Sequence, residues 1–291
     1  MHSSSQFKFI LLAVISASCM GTIGALARYA NLPAEQITFY RLFLGAICLL
    51  LYMVFTDKSG QILHRPSKRT FINGVMLAGF MVFYIQAMNY TSMANVVMLV
   101  YLAPLLSAAV AHYVFAEKLK VANLLAIAMA LLGFAMVMQF SISLDTDGDE
   151  YIGMVYAILA LLSYSAFMLM NRRPSDCSEY HSTLVQLLAG ALCLLPFVLA
   201  TPQIPTVEQS LWLLCIGFLP GFIAILCAVK ALRHLPSVTF GTVAYIEPIV
   251  VVALAWWLFS ETLNLLQLTG CLLIILAGIG QGILSQNKPK N

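Results

Sequence analysis

Tyr101-Leu102-Ala103-Pro104 and Tyr245-Ile246-Glu247-Pro248 stand 144 positions apart, and thirteen residues after each proline comes a glutamate, Glu117 and Glu261. At the same offset Ala87 meets Ala231, Ala109 meets Ala253, Ala111 meets Ala255, Phe115 meets Phe259 and Leu119 meets Leu263. No gap is needed from about 83 to 133. This register marks an internal repeat, with one unit over 1–140 and a second over 151–285.

The solvent that the repeat needs follows from composition. Of 291 residues 61% are hydrophobic and 9% charged, and the mean hydropathy is +0.91. A soluble domain carries roughly 25% charged residues. A chain this poor in charge cannot cover a water-facing surface and needs lipid around it. A helix of about 20 mostly apolar residues crosses the hydrocarbon core. Ten segments qualify, at about 7–29, 36–55, 70–89, 95–116, 121–139, 151–171, 181–200, 209–231, 239–259 and 264–285. Turn and polar residues separate them, among them Asn31-Leu32-Pro33, Asp57-Lys58-Ser59-Gly60, the acidic stretch 145–150 and Glu261. Backbone groups in lipid must be satisfied within the segment, so the expected fold is an all-α integral membrane protein of ten helices. The short alternating segments of a β-barrel are absent from the sequence.

Charge gives the threading. With the N-terminus in the cytoplasm and strict alternation, 13 of the 15 Lys and Arg residues fall on the inner side, leaving only Arg28 and Arg41 outside. That asymmetry is the one cytoplasmic loops carry, and it places both termini in the cytoplasm. Trp212, Trp256 and Trp257 then fall near outer helix ends, where an aromatic belt sits. Each repeat holds five helices. Five is odd, so the second copy enters from the opposite side, and the two form inverted repeats. Transporters built this way hold substrate near the midplane between the halves.

Other classes find little support. Seven scattered cysteines form no C-x-x-C or Cys/His metal spacing, and six of them lie in apolar runs where Cys acts as a small hydrophobe. No basic cluster with interleaved aromatics points to nucleic acid. No G-x-x-x-x-G-K-[ST] loop, H-E-x-x-H or G-x-S-x-G motif points to ATP hydrolysis or another enzyme activity. No cofactor and no metal are implied. Lys8 and the apolar run after it read as a retained first helix rather than a signal peptide, because many more apolar spans follow.

Glu247 is the sharpest functional candidate. It lies about eight residues into its helix, or ~12 Å from the inner end at 1.5 Å per residue. A carboxylate there costs roughly 2.5–3.5 kcal/mol, which makes it a functional residue by default. It can bind a cationic group or carry a proton; the plainer reading is a structural Glu bonded to a neighbouring helix. Pro104 and Pro248 remove the hydrogen bonds that would reach the carbonyls of Val100 and Ala244, which suits a hinge or a cavity wall, or only a tolerated kink. Tyr101, Tyr245, Asn89, Asn95, Gln86, Tyr84 and Tyr164 are the expected polar and aromatic lining of a solute site, against the alternative of packing or belt roles. Arg28 and Arg41 run against the charge bias; they either attract an anion or, in the favoured reading, snorkel outward or pair with Glu35. Lys230 and Arg233 read as topology signals. Gly217-x-x-x-Gly221 and Gly278-x-x-x-Gly282 permit close helix packing and a homodimer without requiring one.

The chain resembles the drug/metabolite transporter superfamily, and within it the EamA-type ten-helix members. The resemblance rests on Gly21-Thr22-Ile23-Gly24-Ala25-Leu26-Ala27-Arg28, on Phe39-Tyr40-Arg41-Leu42, and above all on 87–94, Pro104 and Glu117-Lys118-Leu119, echoed as Glu247-Pro248 and Glu261-Thr262-Leu263. It covers nearly the whole chain. The family often carries Glu-Pro in both copies, whereas the first copy here reads Ala103-Pro104, so any charge at that site is one-sided. The resemblance implies a secondary transporter in a bacterial inner membrane that moves a small metabolite or drug by alternating access, as an exporter. The alternatives are an uptake carrier for a vitamin, amino acid or similar nutrient, and, less favoured, a channel or a non-transporting membrane protein. The expected partners are the lipid bilayer, a small solute and protons.

Overall fold

The structure is a computed structural model that describes residues 2–56, 58, 60, 67–91, 93–115, 120–140, 148–173, 177–200, 203–260, 262 and 264–286. Glu117, Leu119, Glu261, Leu263 and the acidic positions 145–147, all used in reading the sequence, lie outside the described residues.

Among the described residues the regular structure is helical. In chain order it comprises α1 (His2–Gly21), α2 (Ile23–Ala30), α3 (Ala34–Phe55), α4 (Lys68–Met88), α5 (Met93–Val100), α6 (Ala103–Val114), α7 (Val121–Val137), α8 (Gly148–Arg172), α9 (Glu179–Ala200), α10 (Val207–Ile216), a π-helical segment (Gly217–Ile223), α11 (Ala224–His234), α12 (Ser237–Ala244), α13 (Ile246–Phe259) and α14 (Leu265–Gln286). Among the described residues eight spans are long and apolar enough to cross a membrane: Gln6–Ala30, Ala34–Phe55, Lys68–Met88, Asn95–Val114, Glu150–Arg172, Glu179–Ala200, Val207–His234 and Ser237–Phe259. Two further apolar helices, Val121–Val137 and Leu265–Gln281, are shorter. These two pack backbone to backbone: a Cβ on Gly133 would stand 2.6 Å from the Gly270 carbonyl oxygen.

Local chemistry sets the ends. Ser67 Oγ accepts from the Thr70 amide to open α4. Thr206 and Gln209 form a reciprocal capping box at α10. Asn31 and Ser260, in left-handed conformation with φ 48° and 53°, close α2 and α13.

Among the described residues four spans are interrupted. The α1–α2 span breaks at Thr22, where Gly21 lies against Val250 and the Glu247 carbonyl. The α5–α6 span breaks at Tyr101 and Leu102, and the α12–α13 span at Tyr245. The last two breaks fall at matched positions of the sequence repeat. Each follows the residue, Val100 or Ala244, whose carbonyl the next proline cannot engage. The α10–α11 span continues through the π segment around Pro220, where the sequence suggested one uninterrupted helix.

The largest buried cluster joins α3, α4, α8, α9 and α11 through Leu42, Leu49, Leu77, Met168, Leu187 and Leu232. Outward-facing side chains remain apolar: Phe55, Leu192, Leu199, Trp257, Leu272 and Ile279 are exposed. That inversion, apolar surface around a core containing buried Gln36, Gln186, Gln281 and His181, is what lipid requires.

Candidate functional site

Where the α5–α6 and α12–α13 spans cross, their breaks touch. The Tyr245 hydroxyl donates to the Tyr101 carbonyl oxygen at 2.5 Å, and the two rings lie 5.7 Å apart. Gly241 sits so close to Pro104 that a Cβ would overlap the proline ring. Beside this crossing lies a cavity of about 360 Å³ lined by α1, α2, α3, α4, α8, α11 and both interrupted spans. Its walls are mostly apolar, and a stack of aromatic rings runs along one side: Phe80 lies 4.7 Å from Tyr164 and 5.8 Å from Tyr84.

A carboxyl group and a guanidinium face this cavity. Glu247 projects from the first turn of α13 beside the Tyr101 hydroxyl. Arg41, about two turns into α3, lines another wall and is electrostatically coupled to Glu247. Arg41 is held by its neighbours. Its Nε donates to the Pro220 carbonyl oxygen at 3.2 Å, and Nη2 lies 2.7 Å from Met20 Sδ. The π segment supplies that carbonyl because Gly217 and Gly221 let it press onto α3: a Cβ on either would overlap Leu44 or the Arg41 carbonyl. The Gly217-x-x-x-Gly221 pair is thus used for packing within the chain.

The lining reaches Gly24, Ala27, Ala34 and Thr38 at one end of the bundle, where Gly24 and Ala34 are exposed. Toward the other end it stops at Ile225 and Ala228; beyond them Val229, Leu232 and Leu235 are fully buried. Basic residues gather at that closed end. Arg172 Nη1 donates to the Arg233 carbonyl at 3.2 Å, and Arg233 Nη1 to the Cys177 carbonyl at 2.7 Å. Lys230 donates to the Tyr180 hydroxyl at 2.8 Å, with Lys58 Nζ 4.0 Å over the same ring. Tyr180 beside it raises Lys58 from the ordinary lysine value. Behind them a buried amide pair joins α8 to α9, with Gln186 Nε2 donating to Asn171 Oδ1 at 3.0 Å. At the open end Tyr29 stacks on Trp212 at 4.8 Å, and Arg28 lies 4.1 Å over Phe259.

Of the residues singled out in the sequence, the structure brings Glu247, Tyr101, Tyr245, Tyr84, Tyr164 and Pro104 to this cavity. Pro248 is buried beside it, off the lining. Tyr245 is fully buried and its hydroxyl is committed to Tyr101, so only part of it is presented. Three expected lining residues lie elsewhere. Asn95 is buried against α8, where its Nδ2 donates to Glu150 Oε1 at 3.1 Å and to Thr91 Oγ1 at 3.2 Å. Asn89 follows the last turn of α4 and is exposed. Gln86 falls off the face that Leu77, Phe80, Met81, Tyr84 and Met88 turn to the cavity at helical spacing. Arg41 is the residue the sequence reading placed wrongly: it turns inward rather than snorkelling. Its position against the charge bias was the available signal.

Known proteins place this architecture. The model of the EamA-like transporter family matches residues 7–139 and again 151–280. An uncharacterized transporter, YxxF, of Bacillus subtilis is 26% identical over 87% of this chain and 82% of its own length. The pseudopaline exporter CntI of Pseudomonas aeruginosa is 23% identical over 93% of this chain and 94% of its own. One solved structure superposes with a TM-score of 0.85 at 18% identity, covering 96% of this chain and 99% of that one, and shows the same fold. The multi-pass helical bundle and the family match over nearly the whole length agree: the chain belongs to the EamA-like transporter family.

Proposed function

We propose that this chain is a secondary transporter that moves a small metabolite or drug-like solute across the bacterial inner membrane by alternating access, in the direction of export. Ten spans form two five-helix halves threaded in opposite directions, with both termini cytoplasmic. The single observation that carries the reading is the cavity: it is walled from both halves, holds a carboxyl group and a guanidinium in apolar surroundings, and reaches one end of the bundle while the arginine-rich end is packed shut. By the charge rule the closed end is cytoplasmic, which makes this conformation outward-facing. The matched breaks before Pro104 and Pro248 are the hinges, because a helix with unmet carbonyls at mid-depth can bend at low cost. Glu247, Tyr101, Tyr84 and Tyr164 contact the solute. Tyr245 ties the two breaks together. Export is supported by the named activity of one relative, an exporter, and by the family as a group of transporters.

The test is a thermal-shift screen of the purified protein against a metabolite library, followed by flux of each hit in proteoliposomes. A hit should stabilise the native protein, lose its effect in Glu247→Gln, and move with saturable, competable kinetics. Gly24→Leu is the blocking control: no atom lies within 4 Å of a Cβ built there, so the variant folds while its side chain fills the mouth. Flux that does not saturate, or that passes Gly24→Leu unhindered, contradicts the proposal.

A further inference from the structure

Lys58 and Lys230 converge on one phenol at the arginine-rich end of the bundle. Lys230 Nζ donates to the Tyr180 hydroxyl at 2.8 Å and lies 4.1 Å from the ring centre. Lys58 Nζ lies 4.0 Å over the same ring and 5.0 Å from that of Tyr52. Three parts of the chain supply the groups: Lys58 follows α3, Tyr180 lies in the first turn of α9, and Lys230 lies in α11. Two ammoniums at one ring repel each other, and the ring face offsets only part of that repulsion. The carboxylate next in sequence to Tyr180, Glu179, is coupled to Arg233. An anion placed at the two lysines removes the repulsion. Tyr180 adds a donor: having accepted from Lys230, its hydroxyl still has its own hydrogen to give. Two ammoniums and a hydroxyl in one cluster suit the oxygens of a phosphate.

The surroundings tell a lipid phosphate from a free one. Tyr52 and Tyr180 stand at the ends of the spans Ala34–Phe55 and Glu179–Ala200, the level at which aromatic side chains meet headgroups. Lys230 lies one turn inside the end of Val207–His234, from where its stem can run outward along apolar surface. A run of rings leads from the cluster toward mid-depth. Tyr180 stacks on Tyr52 at 5.8 Å, Tyr52 meets Phe222 at 5.7 Å, and Phe222 meets Phe218 at 5.9 Å. Tyr52 and Phe218 are exposed on the lipid-facing side of this run. A free phosphate uses none of that surface, whereas an acyl chain below its headgroup covers it. A choline or ethanolamine headgroup brings a cation of its own to the two lysines. The cluster therefore favours a headgroup of net negative charge, the kind that basic residues at the inner leaflet attract.

We propose that Lys58, Tyr180 and Lys230 bind the phosphate headgroup of an anionic membrane lipid, whose acyl chain lies along Tyr52, Phe222 and Phe218. None of these six residues lines the solute cavity, so the site stands apart from whatever the cavity carries. The headgroup ties the segment after α3, in the first sequence repeat, to α9 and α11, in the second. It does so next to Val229, one of the buried residues at the closed end, and bound lipid thereby braces that closure. Lysines that served only as topology signals would behave differently. Any two lysines of the same side would then contribute alike to lipid binding, and the aromatic run would have no part in it.

The experiment uses the full chain in dodecylmaltoside. It is titrated with dioleoylphosphatidylglycerol, with dioleoylphosphatidylcholine or with inorganic phosphate, and read by native mass spectrometry and thermal unfolding. Phosphatidylglycerol is expected to be retained at least ~10-fold more tightly than phosphatidylcholine. It should also raise the unfolding temperature, as a ligand of the native state does, while inorganic phosphate at the same concentration does not. The double variant Lys58→Gln/Lys230→Gln should bring phosphatidylglycerol down to the level of phosphatidylcholine, and Tyr180→Phe should lose part of the preference. Lys68→Gln/Lys120→Gln removes two exposed lysines assigned to the same side and should keep the preference in full. Thermal unfolding without lipid checks that each variant is folded. Lys58→Gln alone, at a position outside the helices, should lose part of the preference and tests the site where the double variant does not fold. The proposal is overturned if phosphatidylcholine is retained as tightly as phosphatidylglycerol or if inorganic phosphate reproduces the stabilisation. It is overturned equally if Lys68→Gln/Lys120→Gln loses as much as the site variant. Each of these outcomes leaves the cavity and the transport reading untouched.

Discussion

At the scale of single residues, charge in an apolar cavity is the dominant fact. Glu247 occupies a position where a carboxylate costs roughly 2.5–3.5 kcal/mol on insertion scales, and Arg41 lines the same cavity. A residue held against such a cost for function should be replaceable with a gain in stability. Glu247→Gln is therefore expected to unfold at the same or a higher temperature than the native protein while flux falls at least ~10-fold, read by thermal unfolding and proteoliposome transport. The buried amide pair behaves in the opposite way. Gln186 bonds to both Asn171 and Ser182, so Gln186→Leu strands polar atoms and should cost about 1–2 kcal/mol in unfolding free energy. Legibility at this scale followed chain distance. Glu247 stands out in sequence because a carboxylate interrupts an apolar run. Asn95 looks equally available, yet Glu150, 55 positions away, claims its amide. Arg41 lies near a helix end, where an arginine ordinarily reaches for water. Only the carbonyl of Pro220, 179 positions on, shows that it turns inward.

At the scale of elements, the two interrupted spans and the π segment shape the cavity. Gly241 lies against Pro104 where the interrupted spans cross, and the Tyr245 hydroxyl ties one break to the other. Gly241→Ala should destabilise by about 1–3 kcal/mol through overpacking, and Tyr245→Phe by about 1 kcal/mol through one lost hydrogen bond, both measured by denaturation in detergent. Gly221→Ala pushes the π segment off α3 and withdraws the Pro220 carbonyl from Arg41. It is expected to weaken solute binding although residue 221 does not line the cavity, which a binding isotherm checks. The proline-linked breaks were legible, since a missing amide at Pro104 and Pro248 has a fixed consequence. The π turn was not. It arises where a Gly-flanked Pro220 meets the backbone of α3, and a reading that follows one helix at a time holds no trace of that neighbour.

At the scale of the whole molecule, composition and the repeat made the helical membrane class legible, and the family match over both 7–139 and 151–280 agrees with it. The conformation was not legible, because which end of a carrier is closed depends on packing that both halves share. Val229, Leu232 and Leu235 are fully buried beneath the arginine-rich end, and in the proposed alternating-access cycle this closure is one of two arrangements that exchange. The central claim is that two five-span halves, entering the membrane from opposite faces, enclose one solute cavity. Its most direct test places a single cysteine at Gln6 in one cysteine-free variant and at Gln286 in another, and labels intact cells with a membrane-impermeant thiol reagent before and after opening the inner membrane. Protection of both positions in intact cells and labelling of both after opening is the expected result. Labelling of one end from outside while the other stays protected would contradict the opposed threading and the carrier mechanism built on it.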